Sequence, residues 1–199
     1  LAAMLPAETL KLKTRTQVLT ASSKGRHTPL EREVQWDTKK TAIIICDMWD
    51  KHWCPNSEAR VGEMAGPMNT LIEQARKRGV FIIHAPSDTM DFYKDTPQRK
   101  RAQAAPFSKA LVSFDNDWFD YNPDHEGPLP PKLDTEECSC DTPETCGGEG
   151  KKGGSGGEGW TRQIDTIEIA PEDAISDDGQ EVYNLLEDRE SENVVIMGV

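Results

Sequence analysis

The run Thr41-Ala-Ile-Ile-Ile-Cys46 contains three branched aliphatic residues in succession, and this restricts the available folds more than any other stretch. A strand with one solvated face alternates apolar and polar side chains. Consecutive isoleucines instead place apolar groups on both faces, which fits a parallel strand covered on both sides in an α/β protein. Val80-Phe-Ile-Ile83 has the same character. Between the two runs, Met68, Leu71, Ile72 and Ala75 fall at i, i+3, i+4 and i+7 and predict one buried helical stripe. Arg76, Lys77 and Arg78 suit the last turn, and Gly79 suits the stop. An earlier helical stretch, capped by Asn56 or Ser57, is expected to break at Gly66-Pro67. Strand, helix and strand with short links make a right-handed βαβ unit.

The first strand ends at Asp47 and opens into Met48-Trp49-Asp50-Lys51-His52-Trp53-Cys54. Open α/β sheets bind ligands at the carboxyl ends of their strands. The second strand leads into His84-Ala-Pro-Ser-Asp88-Thr-Met-Asp91-Phe-Tyr93. Parallel strands deliver these ends to one edge, so Asp47 and the His84–Asp91 loop are expected to share a crevice. The blander reading of Asp47 is a strand-end carboxylate bonded to nearby backbone N–H groups. For His84 it is a hydrogen-bonded structural histidine, and for Trp53 a core residue.

Elsewhere, Leu10, Leu12, Thr14, Thr16 and Val18 alternate with Lys11, Lys13 and Arg15. They predict a half-exposed antiparallel strand over residues 9–20, paired with the region Glu33–Trp36. Thr96-Pro97 reads as an N-cap and first helical position of a helix reaching about Ala105. From Asp115 the chain turns irregular, first aromatic and then proline-rich. Residues 134–159 carry Cys138, Cys140 and Cys146 and a Gly, Lys, Glu and Ser run, a composition too poor in apolar groups to offset ordering entropy. The three cysteines suit one disulfide with a spare thiol, or a soft metal, although a closed zinc site takes four ligands. Gln163–Ile169 predicts a third strand. Asp178 with Glu181 predicts a capping box, ahead of a helix with the stripe Val182, Leu185 and Leu186. Asn193–Val199 predicts a fourth strand, again parallel in type.

The 199 residues suit one domain with decorations, and the formal charge of −12 disfavours nucleic acid and anionic membranes as partners. Arg99-Lys100-Arg101 reads as a solvated helix face or an anion contact. No apolar run reaches the ~20 residues of a membrane-spanning helix. The start, Leu1-Ala-Ala-Met-Leu-Pro-Ala7-Glu8, reads either as the remnant of a secretory leader or as an ordinary terminus. A secreted or periplasmic location and a cytoplasmic one both stay open. Since a buried parallel strand normally feeds a loop and a crossover helix, the stop at Val199 predicts a fragment. The expected organisation is an extension with a β-hairpin over 1–37 and a partial α/β domain over 38–199, interrupted by the excursion at 134–159.

The pattern Ile-Ile-Ile-Cys-Asp47-Met-Trp resembles the first strand of the isochorismatase-like cysteine hydrolases, the superfamily that includes nicotinamidase. Ala75-Arg-Lys-Arg-Gly79-Val, the strand ending in His84, Asp173-Ala-Ile-Ser-Asp-Asp-Gly and Asn193-Val-Val-Ile-Met-Gly198-Val199 are similar to its later elements. The likeness covers roughly residues 38–110 and 163–199. Asp-Met-Trp-Asp-Lys-His-Trp-Cys and Ala-Pro-Ser-Asp-Thr-Met-Asp-Phe-Tyr resemble a little-characterised bacterial branch.

The resemblance implies a three-layer α/β/α sandwich with a mainly parallel sheet and a triad of Asp, Lys and Cys. Asp47 matches the Asp, and the cysteine nucleophile is implied a few residues beyond Gly198-Val199. The lysine position holds Ile167-Glu168-Ile169-Ala170 instead, so either another cation such as Lys94 or Arg99 enters the pocket or the branch uses different chemistry. The implied reaction is hydrolysis of a small amide-type C–N bond, with His52, Trp53, His84 and Asp88 lining the substrate pocket. The family's divalent metal has its counterparts in His84, Asp88 and Asp91, and a homo-oligomer fits the family. Two other classes compete: a non-catalytic binding module or pseudoenzyme of the same fold, and a secreted thiol- or metal-binding protein centred on the three close cysteines.

Overall fold

A computed structural model describes residues 8–19, 27–52, 54–109 and 159–199. Trp53, the aromatic and proline-rich stretch from Asp115, Cys138, Cys140, Cys146 and the Leu1–Ala7 start lie outside the described residues.

Two strands, β1 (Thr9–Leu19) and β2 (His27–Asp37), form an antiparallel ribbon with Leu10 opposite Trp36 and Leu12 opposite Val34. The expected pairing is present, and β2 extends it well beyond Glu33–Trp36. The other face carries cross-strand charge, with Lys13 and Arg15 both reaching Glu31. At its base the ribbon is tied to the rest by Thr38 N–H donating to Glu8 O (3.0 Å), and Leu10 packs on the main core.

A 3-10 turn at Thr38–Lys40, capped by the Asp37 side chain, leads into β3 (Thr41–Cys46). Then come α1 (Pro55–Lys77), β4 (Phe81–Ala85), α2 (Met90–Tyr93), α3 (Pro97–Ala104), β5 (Ala174–Ile175), α4 (Gly179–Asp188) and β6 (Asn193–Gly198). The sheet order is β5-β4-β3-β6, and every pairing is parallel. The protein is thus a mixed α/β structure with a four-stranded parallel sheet flanked by helices, compatible with a three-layer sandwich. On one face Ile43, Ile45 and Ile82 pack with Val61, Ala65, Met68 and Ile72 of α1. On the other, Ala42, Phe81 and Ile83 pack with Ala102 of α3 and Leu185 of α4. Both faces of β3 are therefore covered, as its isoleucines require.

Three details differ from the sequence expectation. Helix α1 does not break at Gly66-Pro67 but runs through it, with Cys54 as N-cap. Proline removes one intrahelical hydrogen bond, but Val61, Ala65, Met68 and Ile72 hold a buried stripe on both sides of it. Leu71 lies off that stripe and is half exposed. Second, Gln163–Ile169 is not a strand: Ile164 and Ile167 pack into the α1 core from an irregular segment that touches Trp49 through a single antiparallel bridge. The third sheet strand is the two-residue β5. Third, only half of the capping box forms. Asp178 accepts from Glu181 N–H (2.8 Å), while the Glu181 carboxylate turns to Arg99 and Ser176.

The Thr96 cap, Pro97 at the start of α3, and Gly79 with φ 89° after α1 all stand as expected. No helix among the described residues is long and apolar enough to cross a membrane.

Candidate functional site

Chain order and sheet order together mark the sheet edge at which an open α/β fold places its binding crevice. From β3 the chain moves outward through β4 to β5, then returns to place β6 on the other side of β3. The direction of progression reverses between β3 and β6, and open α/β sheets bind ligands at the carboxyl ends of the two strands flanking such a reversal. Cys46 is paired with Gly198 there. Gly198 has φ 129°, and a Cβ on it would lie 1.9 Å from the Cys46 carbonyl oxygen, so only glycine allows this approach. Val199 N–H donates to Cys46 O (3.3 Å), which brings the end of β6 beside Asp47.

Asp47 is half-buried and leaves the strand with φ 47°, a left-handed conformation uncommon outside glycine and asparagine. Its N–H donates to Ala85 O (3.3 Å), and its carbonyl accepts from Trp49 N–H (3.0 Å). Its carboxylate accepts from Ser87 N–H (2.9 Å). The expected convergence of Asp47 with the loop after β4 is therefore present, through the backbone of that loop. Asp88 also has positive φ, 59°, and its N–H donates to the Asp177 carboxylate (2.9 Å). Two non-glycine residues thus adopt left-handed backbone at one sheet edge, a placement that often accompanies function.

Around this edge lie three nearly parallel rings. Trp49 and His52 stack at 4.7 Å between centroids, Trp49 and Trp160 at 5.3 Å, and His52 and Trp160 at 5.8 Å. Burial holds the His52 imidazole below its usual range, and its Nδ1 accepts from Cys54 N–H (3.0 Å). The Trp160 indole N–H donates to Ser87 O (2.9 Å). Asp50 fastens the Trp160 segment by accepting from Thr161 N–H (2.8 Å), Thr161 Oγ1 (2.6 Å) and Arg162 N–H (3.2 Å). Burial raises the Asp50 carboxyl, but these bonds outweigh it and leave it below the usual carboxylate range. The Cys46 thiol is raised by burial and then by the neighbouring Asp47 charge, which disfavours the nucleophilic thiolate.

His84 sits differently from the expectation that it lines the pocket. It is fully buried on β4, with Nδ1 2.8 Å from Gln163 Oε1 and Nε2 3.0 Å from Asp173 Oδ2. Asp173 also takes two bonds from Arg76 (3.1 and 2.8 Å) and one from Ala170 N–H (2.7 Å). Gln163 is held in turn by Ile167 O and by the Tyr93 hydroxyl. His84 therefore joins β4, α1 and the 163–173 segment inside the protein. Since both of its ring nitrogens are engaged, it does not suit a metal. Among the described residues no group of three His, Cys, Asp or Glu could hold one. His84, Asp88 and Asp91 do not gather as a ligand set.

The proposed substitute cations behave differently from each other. Arg99 is buried and forked onto Glu181, with Nη2 at 3.1 Å from Oε1, so it serves the α3–α4 contact. Lys94 is exposed at the end of α2. Clefts among the described residues include one of about 230 Å³ beside Tyr93 and Arg162 and one of about 510 Å³ between α3 and α4. Neither contains Asp47, and concavity alone would have pointed elsewhere.

Trp160 has no place in the sequence reading, and Asp50 enters it only as part of the run that follows Asp47. Their signal was present only as a tryptophan at the end of the Gly, Lys, Glu and Ser run and an aspartate three residues after another. Comparison with known protein families, with curated proteins and with solved structures returns no match.

Proposed function

We propose that this chain is part of an isochorismatase-like hydrolase that cleaves a small amide-type C–N bond, with Asp47 as general base and a cysteine following Val199 as nucleophile. The observation that carries this reading is the position of Asp47 at the reversal of the sheet, with the end of β6 hydrogen-bonded to the residue before it. The carboxyl end of β6 thus lies at the same sheet edge as Asp47.

In this mechanism Asp47 takes the proton of the cysteine thiol and the thiolate attacks the amide carbonyl. Backbone N–H groups near the nucleophile support the oxyanion. Asp47 then gives its proton to the departing amine, leaving a thioester. Water, deprotonated by Asp47, attacks that thioester, and the thiol leaves with the returned proton to release the acid. Trp49, His52 and Asp88 surround the edge where the substrate would lie. His84, committed to Gln163 and Asp173, has no ligand role in this mechanism.

A non-catalytic binding module of the same fold is the second reading, favoured by the lack of a lysine in Ile167-Glu168-Ile169-Ala170 and by the inward commitment of Arg99. The two separate cleanly. The coding sequence after Val199 should read Thr-x-x-Cys within a few residues. In the full-length protein Asp47→Asn should lower turnover of primary amides at least about a hundredfold without changing the melting temperature. Absence of the cysteine supports the binding module, and full activity in Asp47→Asn places the base elsewhere.

A further inference from the structure

We infer that Trp160 and Asp50 are positioning residues for Asp47. The inference rests on the reading of Asp47 as the base and identifies what holds it in register. Among the described residues, Ser87 N–H is the hydrogen-bond donor that the Asp47 carboxylate meets. Ser87 lies in a loop without ladder partners, between Pro86, which has no N–H, and Asp88 in left-handed backbone. The shape of that loop is set by side chains reaching in. Thr89 Oγ1 donates to Pro86 O (2.8 Å), Asp177 receives Asp88 N–H (2.9 Å), and the Trp160 indole donates to Ser87 O (2.9 Å).

Trp160 itself belongs to no helix or strand. It is anchored by its neighbours Thr161 and Arg162, whose N–H groups and Thr161 hydroxyl all converge on Asp50. Its ring is clamped against Trp49, two residues after Asp47. A closed path therefore runs from Asp47 through Ser87, Trp160, Thr161 and Asp50 back to the Asp47 loop. Opening it at the indole frees the Ser87 peptide to shift, and displacement of a reacting group by about 1 Å lowers a rate by roughly a hundredfold.

The Trp160→Phe variant keeps an aromatic ring in the stack, smaller than the indole, and removes the N–H donor. Asp50→Asn keeps the side-chain shape and weakens the anchor. In this chain, the hydrogen exchange of the Ser87 amide should speed up at least about tenfold in both variants, with the Ile45 amide in the core unchanged. Equal Ser87 exchange in wild type and variants overturns the inference. In the full-length protein, ammonia release from nicotinamide, benzamide and acetamide gives the second readout. Trp160→Phe should lower kcat about tenfold to a hundredfold with little change in KM, and should move the acid limb of the kcat–pH profile. A variant with wild-type kcat and pH profile also overturns it, since stacking alone would then suffice. A wild type inactive on every amide, with Ser87 exchange still accelerated in the variants, defeats the hydrolase reading and leaves the Asp47 clamp standing.

Discussion

Asp173 shows how one buried carboxylate can organise several elements. Burial pushes its carboxyl up, but hydrogen bonds from His84, Arg76 and Ala170 N–H outweigh this and hold it below the usual carboxylate range. A carboxyl depressed by folding stabilises the fold above its unfolded value, near 3.9. That stabilisation is lost as pH falls through the folded value. Wild-type stability should therefore decline as pH drops from about 4 toward 2, and the decline should be shallower in Asp173→Asn. At neutral pH the same substitution removes the partner charge of the partly buried Arg76 and an acceptor of buried His84, and should cost about 3–5 kcal/mol. Denaturant melts across that pH range check both. The same residue shows a limit of sequence reading. Asp173 and His84 lie 89 positions apart, and nothing local to either residue signals that they meet. A histidine at a strand end looks identical whether the pleat turns it toward the crevice or toward the core.

At the scale of elements, local rules served well where the deciding physics was local. Thr96 and Pro97 start α3 because the threonine hydroxyl accepts from Arg99 N–H (3.2 Å) and proline needs no acceptor. The alternation of residues 9–20 produced a ribbon for the same reason. Local rules failed where burial elsewhere decided. Pro67 read as a break, yet the α1 stripe on either side of it holds the helix together. Pro67 is exposed, and a Cβ on Gly66 would meet nothing within 4 Å. Relieving the defect should therefore stabilise the protein, by about 2 kcal/mol for Pro67→Ala and about 0.5–1 kcal/mol for Gly66→Ala, measured by chemical denaturation. No gain from either would mean that Gly66 and Pro67 serve the seating of α1 on the sheet. The 163–169 segment failed differently. Its isoleucines at 164, 167 and 169 mimic a strand, but Ile164 N–H bonds Met48 O and Ile167 N–H bonds Ile164 O, so the backbone turns instead of pairing.

For the molecule as a whole, the sheet is well covered except along β6. Val195 and Met197 pack into the α1 core, while Val194 and Ile196 project from the other face and Ile196 is 69% exposed. An apolar edge strand of this kind promotes pairing with other chains. The 199-residue chain should therefore associate as its concentration rises, and Ile196→Lys should shift it toward monomer in sedimentation velocity. A wild-type chain that stays monomeric at all concentrations would show that this edge is protected. The parallel class of the sheet and the shared edge of its first two strands were legible from composition and chain order. The reversal between β3 and β6 was not, because strand order depends on contacts that no short window contains.

That reversal has a kinetic side. Strand β3, β4 and the helix between them are contiguous in sequence and can assemble as soon as residue 85 is made. The other edge of β3 must wait for β6, and the contact that closes it, from Lys40 to Glu192, spans 152 positions. Parallel pairings at such separations form slowly, because the loop entropy is lost before the contacts form. A nascent chain would thus hold its most apolar strand half-paired while residues 86–192 are made, and the left-handed turn at Asp47 would become rigid late.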